Sequence, residues 1–173
     1  MERIVSKIDR INLSIGSAVS WIGVPLTFVV LIEVGLRYIF NNPTIWAYDS
    51  AWMLYSVFFL LGGGYTMARK RHVRIDLLYG LLPKKAQIIH ELIFFFIFFL
   101  PVTVTLTFIS STYALKAWET GQSIDSAIWV FPVAPVRTVI PIAFFLLTLQ
   151  GIAEILRNIL YLTNPSELEA PSE

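Results

Sequence analysis

The chain has 173 residues, of which 56% are hydrophobic and 14% are charged, and its formal net charge is +1. This is more apolar side-chain surface than a soluble domain of that length buries, so lipid is the expected solvent. The balanced charge excludes a nucleic-acid binder, and the absence of cysteine excludes disulfides, iron–sulfur clusters and thiolate metal sites. These features predict an all-α integral membrane protein.

Four apolar stretches are each long enough to cross a bilayer, which requires about 20 residues in a helix. They lie near residues 12–38, 46–68, 86–115 and 136–160. We therefore predict one four-helix membrane domain over residues 1–163, followed by a disordered tail over 164–173, which is rich in Pro, Ser and Glu. Pro101 is expected to kink the third span.

The distribution of basic residues predicts the orientation of these spans. Ten of the 13 Lys and Arg residues flank span ends on the side of both termini, and only Arg37, Lys116 and Arg137 lie on the other side. Because Lys and Arg are retained in the cytoplasm, both termini should be cytoplasmic. Four tryptophans then fall at or near the outer interface, where aromatic rings are favoured: Trp46, Trp52, Trp118 and Trp129.

Two short segments on the cytoplasmic side are expected to lie along the membrane surface as amphipathic helices. Residues 1–11 place Ile4 and Ile8 on one helical face and Arg3 and Lys7 on another. Residues 73–82 are apolar but too short to span.

Charged residues near the outer ends of the first two spans are the first candidate site. Glu33 and Arg37 are four residues apart and share a helical face, and Asp49 begins the second span at a similar depth. Charges in or near lipid are costly unless paired, so a local network of the three is one interpretation. An ion or proton site, or contact with a partner subunit, is the alternative.

A second candidate is the polar stretch after the second span, which contains Arg71, His72, Arg74 and Asp76. A metal site there lacks ligands, because the only other histidine is His90. A network of hydrogen bonds and charges that fixes the loop is the preferred hypothesis.

Small or polar residues also recur on single helical faces. The first span has Gly16, Ser20, Gly23 and Thr27, and the second has Asp49, Ser56 and Gly63 at intervals of seven. Such faces permit close packing, either within this chain or against another protein. In the fourth span Gln150 and Glu154 share a face, and Glu154 with Arg157 is expected to form a surface pair.

The order of three motifs resembles a known family. These are Arg37 to Asn41 at the end of the first span, Trp46 through Asp49 to Trp52 at the start of the second, and Gly62 to Gly64 continuing into Arg71 to Leu78. Together they resemble the small membrane subunit, of DctQ type, of tripartite ATP-independent periplasmic (TRAP) transporters. Asp49 stands where that family is expected to have Glu.

This resemblance implies a partner list and a role. The partners would be a large many-span membrane subunit of DctM type, which carries the sodium and substrate sites, and a periplasmic substrate-binding protein of DctP type. The chain would be a non-catalytic scaffold, without cofactors, in a sodium-coupled transporter of organic acids in the bacterial inner membrane. The alternatives are an autonomous small channel or carrier and, less in keeping with so few histidines, an electron-transfer or enzyme subunit.

Overall fold

A computed structural model of the chain describes residues 2–69, 83–123 and 132–163. The described residues form these helical elements: α1 (Glu2–Ser20), α2 (Gly23–Tyr38), α3 (Trp46–Ala68), α4 (Lys84–Phe94), a π-helical turn (Phe95–Phe99), α5 (Leu100–Thr120) and α6 (Ala134–Thr163). They contain four helical segments that are long and apolar enough to cross a membrane: Glu2–Tyr38, Trp46–Ala68, Lys84–Thr120 and Ala134–Thr163. The predicted all-α membrane fold with four spans is confirmed.

The first segment differs from the prediction in where its helix begins and breaks. Helix α1 runs without interruption through residues 11 and 12, where a surface segment was expected to give way to the span. The interruption comes instead at Trp21 and Ile22, between α1 and α2. Val5 in the first turns is buried within the chain. The placement of residues 1–11 on the membrane surface stays a prediction, and residues 73–82 lie outside the described part of the chain.

The third segment is irregular just before Pro101. Proline has no N–H to donate to the carbonyl of Ile97, and its ring would clash with that carbonyl in a regular α-helix. The chain accommodates Pro101 with the π-helical turn, after which α5 continues as a regular helix to Thr120. Phe99 from this turn packs closely on α6, since a Cβ added at Gly151 would lie 2.7 Å from the Phe99 Cε1.

Helix α6 is the centre of the bundle and contacts α1, α3, α4 and α5. Half of its buried residues are small, Ala134, Ala143, Gly151 and Ala153, and they allow the neighbouring helices to approach closely. Helix α2, by contrast, packs chiefly on α3 and has no buried residue. The interior of the chain is therefore concentrated around α6, and α2 lies at its margin.

The two ends of the bundle have different contents. Asp9 of α1 contacts Arg157 of α6, so the beginning and the end of the described chain meet at one end, which we call the terminal end. The opposite, hairpin end carries the connections from α2 to α3 and from α5 to α6. Trp46 and Trp118 lie there, and the indole Nε1 of Trp118 donates to the Thr138 hydroxyl at 2.9 Å. Trp129 is outside the described residues.

Candidate functional site

Five polar side chains of α1 and α6 form a continuous network at the terminal end, which we call the α1–α6 polar cluster. Its members are Asp9, Asn12, Gln150, Glu154 and Arg157. The Asn12 Nδ2 donates to Gln150 Oε1 at 2.8 Å, and the Gln150 Nε2 donates to Asp9 Oδ1 at 2.8 Å. The Arg157 guanidinium donates to Asp9 Oδ2 at 2.6 Å and also to Glu154.

Helical periodicity explains how two short sequences supply the cluster. Asp9 and Asn12 are three residues apart on α1, and Gln150, Glu154 and Arg157 are spaced by four and three on α6, so each set shares one face. Asn12 and Gln150 are almost fully buried, with 2% and 0% of their surface exposed. Among the described residues, every buried side-chain nitrogen and oxygen has a hydrogen-bond partner. The cluster thus satisfies its own polar groups, as lipid-exposed bundles require.

Two glycines allow α1 to approach α3 beside this cluster. A Cβ added at Gly64 would lie 2.5 Å from Asn12 Oδ1, and one added at Gly16 would lie 2.2 Å from the Tyr65 Cβ. A real Cβ atom does not approach another side chain this closely, so both positions require glycine for the present packing. The sequence predicted close packing at Gly16 in the first span and at Gly63 in the second. Gly63 has only ordinary contact with Leu147, at 3.6 Å, and its neighbour Gly64 is the crowded position.

The cluster corrects one expectation and adds residues that sequence reasoning missed. Glu154 and Arg157 do pair, but Glu154 is buried, with 9% of its surface exposed, so they are not a surface pair. Asp9 and Asn12 were not singled out. The available signal was the spacing of Val5, Asp9, Asn12 and Gly16, which places all four on one helical face. A face that combines polar and small residues is typical of a helix that packs against another helix.

The predicted site at the hairpin end is assembled in part. Arg37 donates to Glu33 Oε1 through Nη2 at 2.5 Å and through Nε at 3.0 Å. The second carboxylate oxygen of Glu33 accepts the Thr44 backbone N–H at 3.0 Å and the Thr44 hydroxyl. Asn41, in the left-handed region at φ 51°, turns the chain so that Thr44 returns to α2.

Asp49 does not join this site in the described structure. It lies in the first turn of α3, partly buried, and no hydrogen bond or ion pair joins it to Glu33 or Arg37. The third group in contact with Glu33 is Thr44, because the turn between α2 and α3 brings its N–H and hydroxyl to the carboxylate. The described structure therefore contains the expected Glu33–Arg37 pair but not the expected contact of either residue with Asp49.

The other predicted site residues are distributed along α3 or lie outside the described part. Trp46 begins the helix, and Trp52 is 47% exposed. The Ser56 hydroxyl donates to the Trp52 carbonyl of its own helix at 2.8 Å. The four residues of the polar loop, Arg71, His72, Arg74 and Asp76, are outside the described residues. Within residues 2–69, 83–123 and 132–163, no group of three His, Asp or Glu side chains could hold a metal ion.

These features define a multi-pass helical membrane protein in which the described buried polar side chains all have hydrogen-bond partners within the chain. Over residues 26–160 the chain matches the family described as "Tripartite ATP-independent periplasmic transporters, DctQ component". Because this match covers most of the sequence, the chain belongs to the DctQ family and is a component of a transporter. Among curated proteins, none matches the chain. The family match begins within α2, so Asp9 and Asn12 of the cluster precede it.

Proposed function

We propose that this chain is a non-catalytic scaffold that braces the large membrane subunit of a sodium-coupled TRAP transporter for organic acids. Membership of the DctQ family supports the small-subunit role. In this proposal the large subunit, of DctM type, carries the sodium and substrate sites, and a periplasmic protein of DctP type delivers the substrate. The chain resides in the bacterial inner membrane with both termini in the cytoplasm.

The observation that carries the proposal is the distribution of apolar surface on α2. This helix has no buried residue, and its large side chains face away from the bundle, Phe28 being 61% exposed and Leu31 60% exposed. It nevertheless carries the Glu33–Arg37 ion pair, in which the Arg37 side chain is 52% exposed. Next to this apolar surface, the exposed ion pair offers polar contacts of a kind that a protein partner uses and acyl chains do not. The large subunit is the expected partner at this surface.

The interior of the described chain favours a scaffold over a channel or carrier. The buried residues of the described chain are mainly apolar, and Ala143 and Leu146 are the ones in the middle part of α6 before Gln150. The α1–α6 polar cluster lies at the terminal end, where its groups are already bonded to one another. A carrier requires polar groups along a path, and a scaffold requires only packing surfaces.

Reconstituted transport tests the proposal. Proteoliposomes would contain this chain alone, the large subunit alone, or both, each with the periplasmic binding protein, a sodium gradient and a radiolabelled organic acid. We expect uptake only when both membrane subunits are present. Uptake by this chain alone would contradict the scaffold role and favour the autonomous carrier, and full uptake by the large subunit alone would show that no brace is needed.

A further inference from the structure

A groove of about 790 Å³ lies between the first turns of α1 and the last turns of α6. Its charged lining consists of Glu2, Asp9, Arg10 and Arg157. Its apolar lining consists of Val5, Leu13 and Leu160, and two serines, Ser6 and Ser14, complete the polar side. The groove adjoins the α1–α6 polar cluster, but Glu2 and Arg10 are not members of that cluster.

The lengths of the helices place this groove at the depth of lipid headgroups. The segment Glu2–Tyr38 has 37 residues and Ala134–Thr163 has 30. At 1.5 Å per residue they extend for about 55 Å and about 45 Å, compared with roughly 30 Å of hydrocarbon. Both therefore extend past the hydrocarbon into the headgroup region. Leu13 would then face the upper acyl carbons, while Glu2, Arg10 and Leu160, which is nearer the helix end than Arg157, lie at the level of the polar groups.

The charges of the groove distinguish between classes of headgroup. Two carboxylates and two guanidinium groups line it, so its formal charge is zero. Arg157 is already bonded to Asp9 and Glu154. Arg10 remains exposed, with no ion pair or hydrogen bond from its side chain among the described residues, and Glu2 is exposed nearby on the same helix. Asp9 is likewise occupied, because its two carboxylate oxygens accept from Gln150 and Arg157. The groove therefore offers one available cation, Arg10, and one available carboxylate, Glu2, a pair that matches a zwitterionic headgroup better than a purely anionic one.

We propose that this groove binds a zwitterionic phospholipid with a primary ammonium group, phosphatidylethanolamine, from the surrounding bilayer. Arg10 bonds the phosphate, and the ammonium group donates to the Glu2 carboxylate. The acyl chains pass Leu13 towards the hydrocarbon, while Val5 and Leu160 line the groove beside the headgroup. The bound lipid extends the contact between α1 and α6 beyond the polar cluster.

Native mass spectrometry of the full chain in detergent tests this proposal. The protein would be titrated separately with phosphatidylethanolamine, phosphatidylcholine and phosphatidylglycerol of identical acyl chains. We expect phosphatidylethanolamine to be retained most strongly. The variants Glu2→Gln and Arg10→Gln should each weaken its retention by about threefold to fivefold, the size expected for one exposed charge pair. Both side chains are exposed, so folding is not at risk.

Lys7→Gln is the matched control, because Lys7 is an exposed cation of the same helix that does not line the groove. Its retention of phosphatidylethanolamine should equal that of the unmodified chain. Equal losses in Lys7→Gln and Arg10→Gln, a preference for phosphatidylglycerol, or no retained lipid would each overturn the proposal. So would loss of the bound lipid when the chain is purified with its large partner, because a protein would then occupy the groove.

Discussion

The side-chain amide of Asn12 donates a 2.8 Å hydrogen bond to that of Gln150, 138 positions away along the chain, and both residues are buried. This bond joins α1 to the central helix α6. Gln150 passes the connection on to Asp9, which in turn accepts from Arg157. Hydrophobic burial cannot distinguish one helix pairing from another in lipid, so directional bonds of this kind specify the position of α1.

We expect Asn12→Ala to lower the free energy of unfolding by about 1–3 kcal/mol, because Gln150 Oε1 would be left buried without a donor. Gln150→Leu should cost a similar amount. The double variant should cost less than the sum, since neither buried partner remains unpaired. Unfolding in detergent micelles measures all three, with Ser20→Ala, an exposed residue of α1, as the control. Strictly additive effects would show that the bond does not couple the helices.

Arg157→Gln should be more harmful than Arg37→Gln. Arg157 is the cation for both Asp9 and Glu154, and its side chain is only 21% exposed. Its loss should cost roughly 2–3 kcal/mol, less than for a fully buried pair because it is partly solvated.

Arg37 has the same type of pairing but a half-exposed side chain, and Glu33 would keep its two bonds from Thr44. The thermal midpoint in detergent should therefore fall clearly in Arg157→Gln and little in Arg37→Gln. Equal shifts would contradict the ranking of the two sites.

Gly64→Ala should destabilise the chain, and Gly62→Ala should not. The new Cβ at Gly64 would lie 2.5 Å from Asn12 Oδ1, which is fixed by the bond that Asn12 makes to Gln150. Nothing lies within 4 Å of a Cβ at Gly62, and alanine there gains about 0.5–1 kcal/mol of helix propensity. The two variants differ only in which side of α3 they change. Comparable melting of both would show that α1 does not pack on α3 through Gly64.

The sequence predicted those features that depend on local composition and spacing. Span lengths follow from hydrophobicity alone, so α3 has the predicted ends at Trp46 and Ala68. The Glu33–Arg37 pair follows from the four-residue spacing within one helix. The contact of Thr44 with Glu33 was missed because it depends on the backbone turn at Asn41.

The polar cluster could not be predicted in the same way. Asp9 and Arg157 are 148 positions apart, and their pairing requires knowledge of which helices are neighbours. A surface location of residues 1–11 gives no reason for Asp9 to pair with a side chain of a transmembrane helix. The choice between Gly63 and Gly64 likewise depends on the rotation of α3 about its axis, which a glycine run leaves undefined.

Affinity purification of the tagged chain from its native membrane in mild detergent, with mass spectrometry of the accompanying proteins, tests the central claim most directly. The scaffold proposal predicts recovery of a many-span membrane protein in equal amount with the chain. Purification of the chain alone, as a stable oligomer that transports after reconstitution, would contradict it.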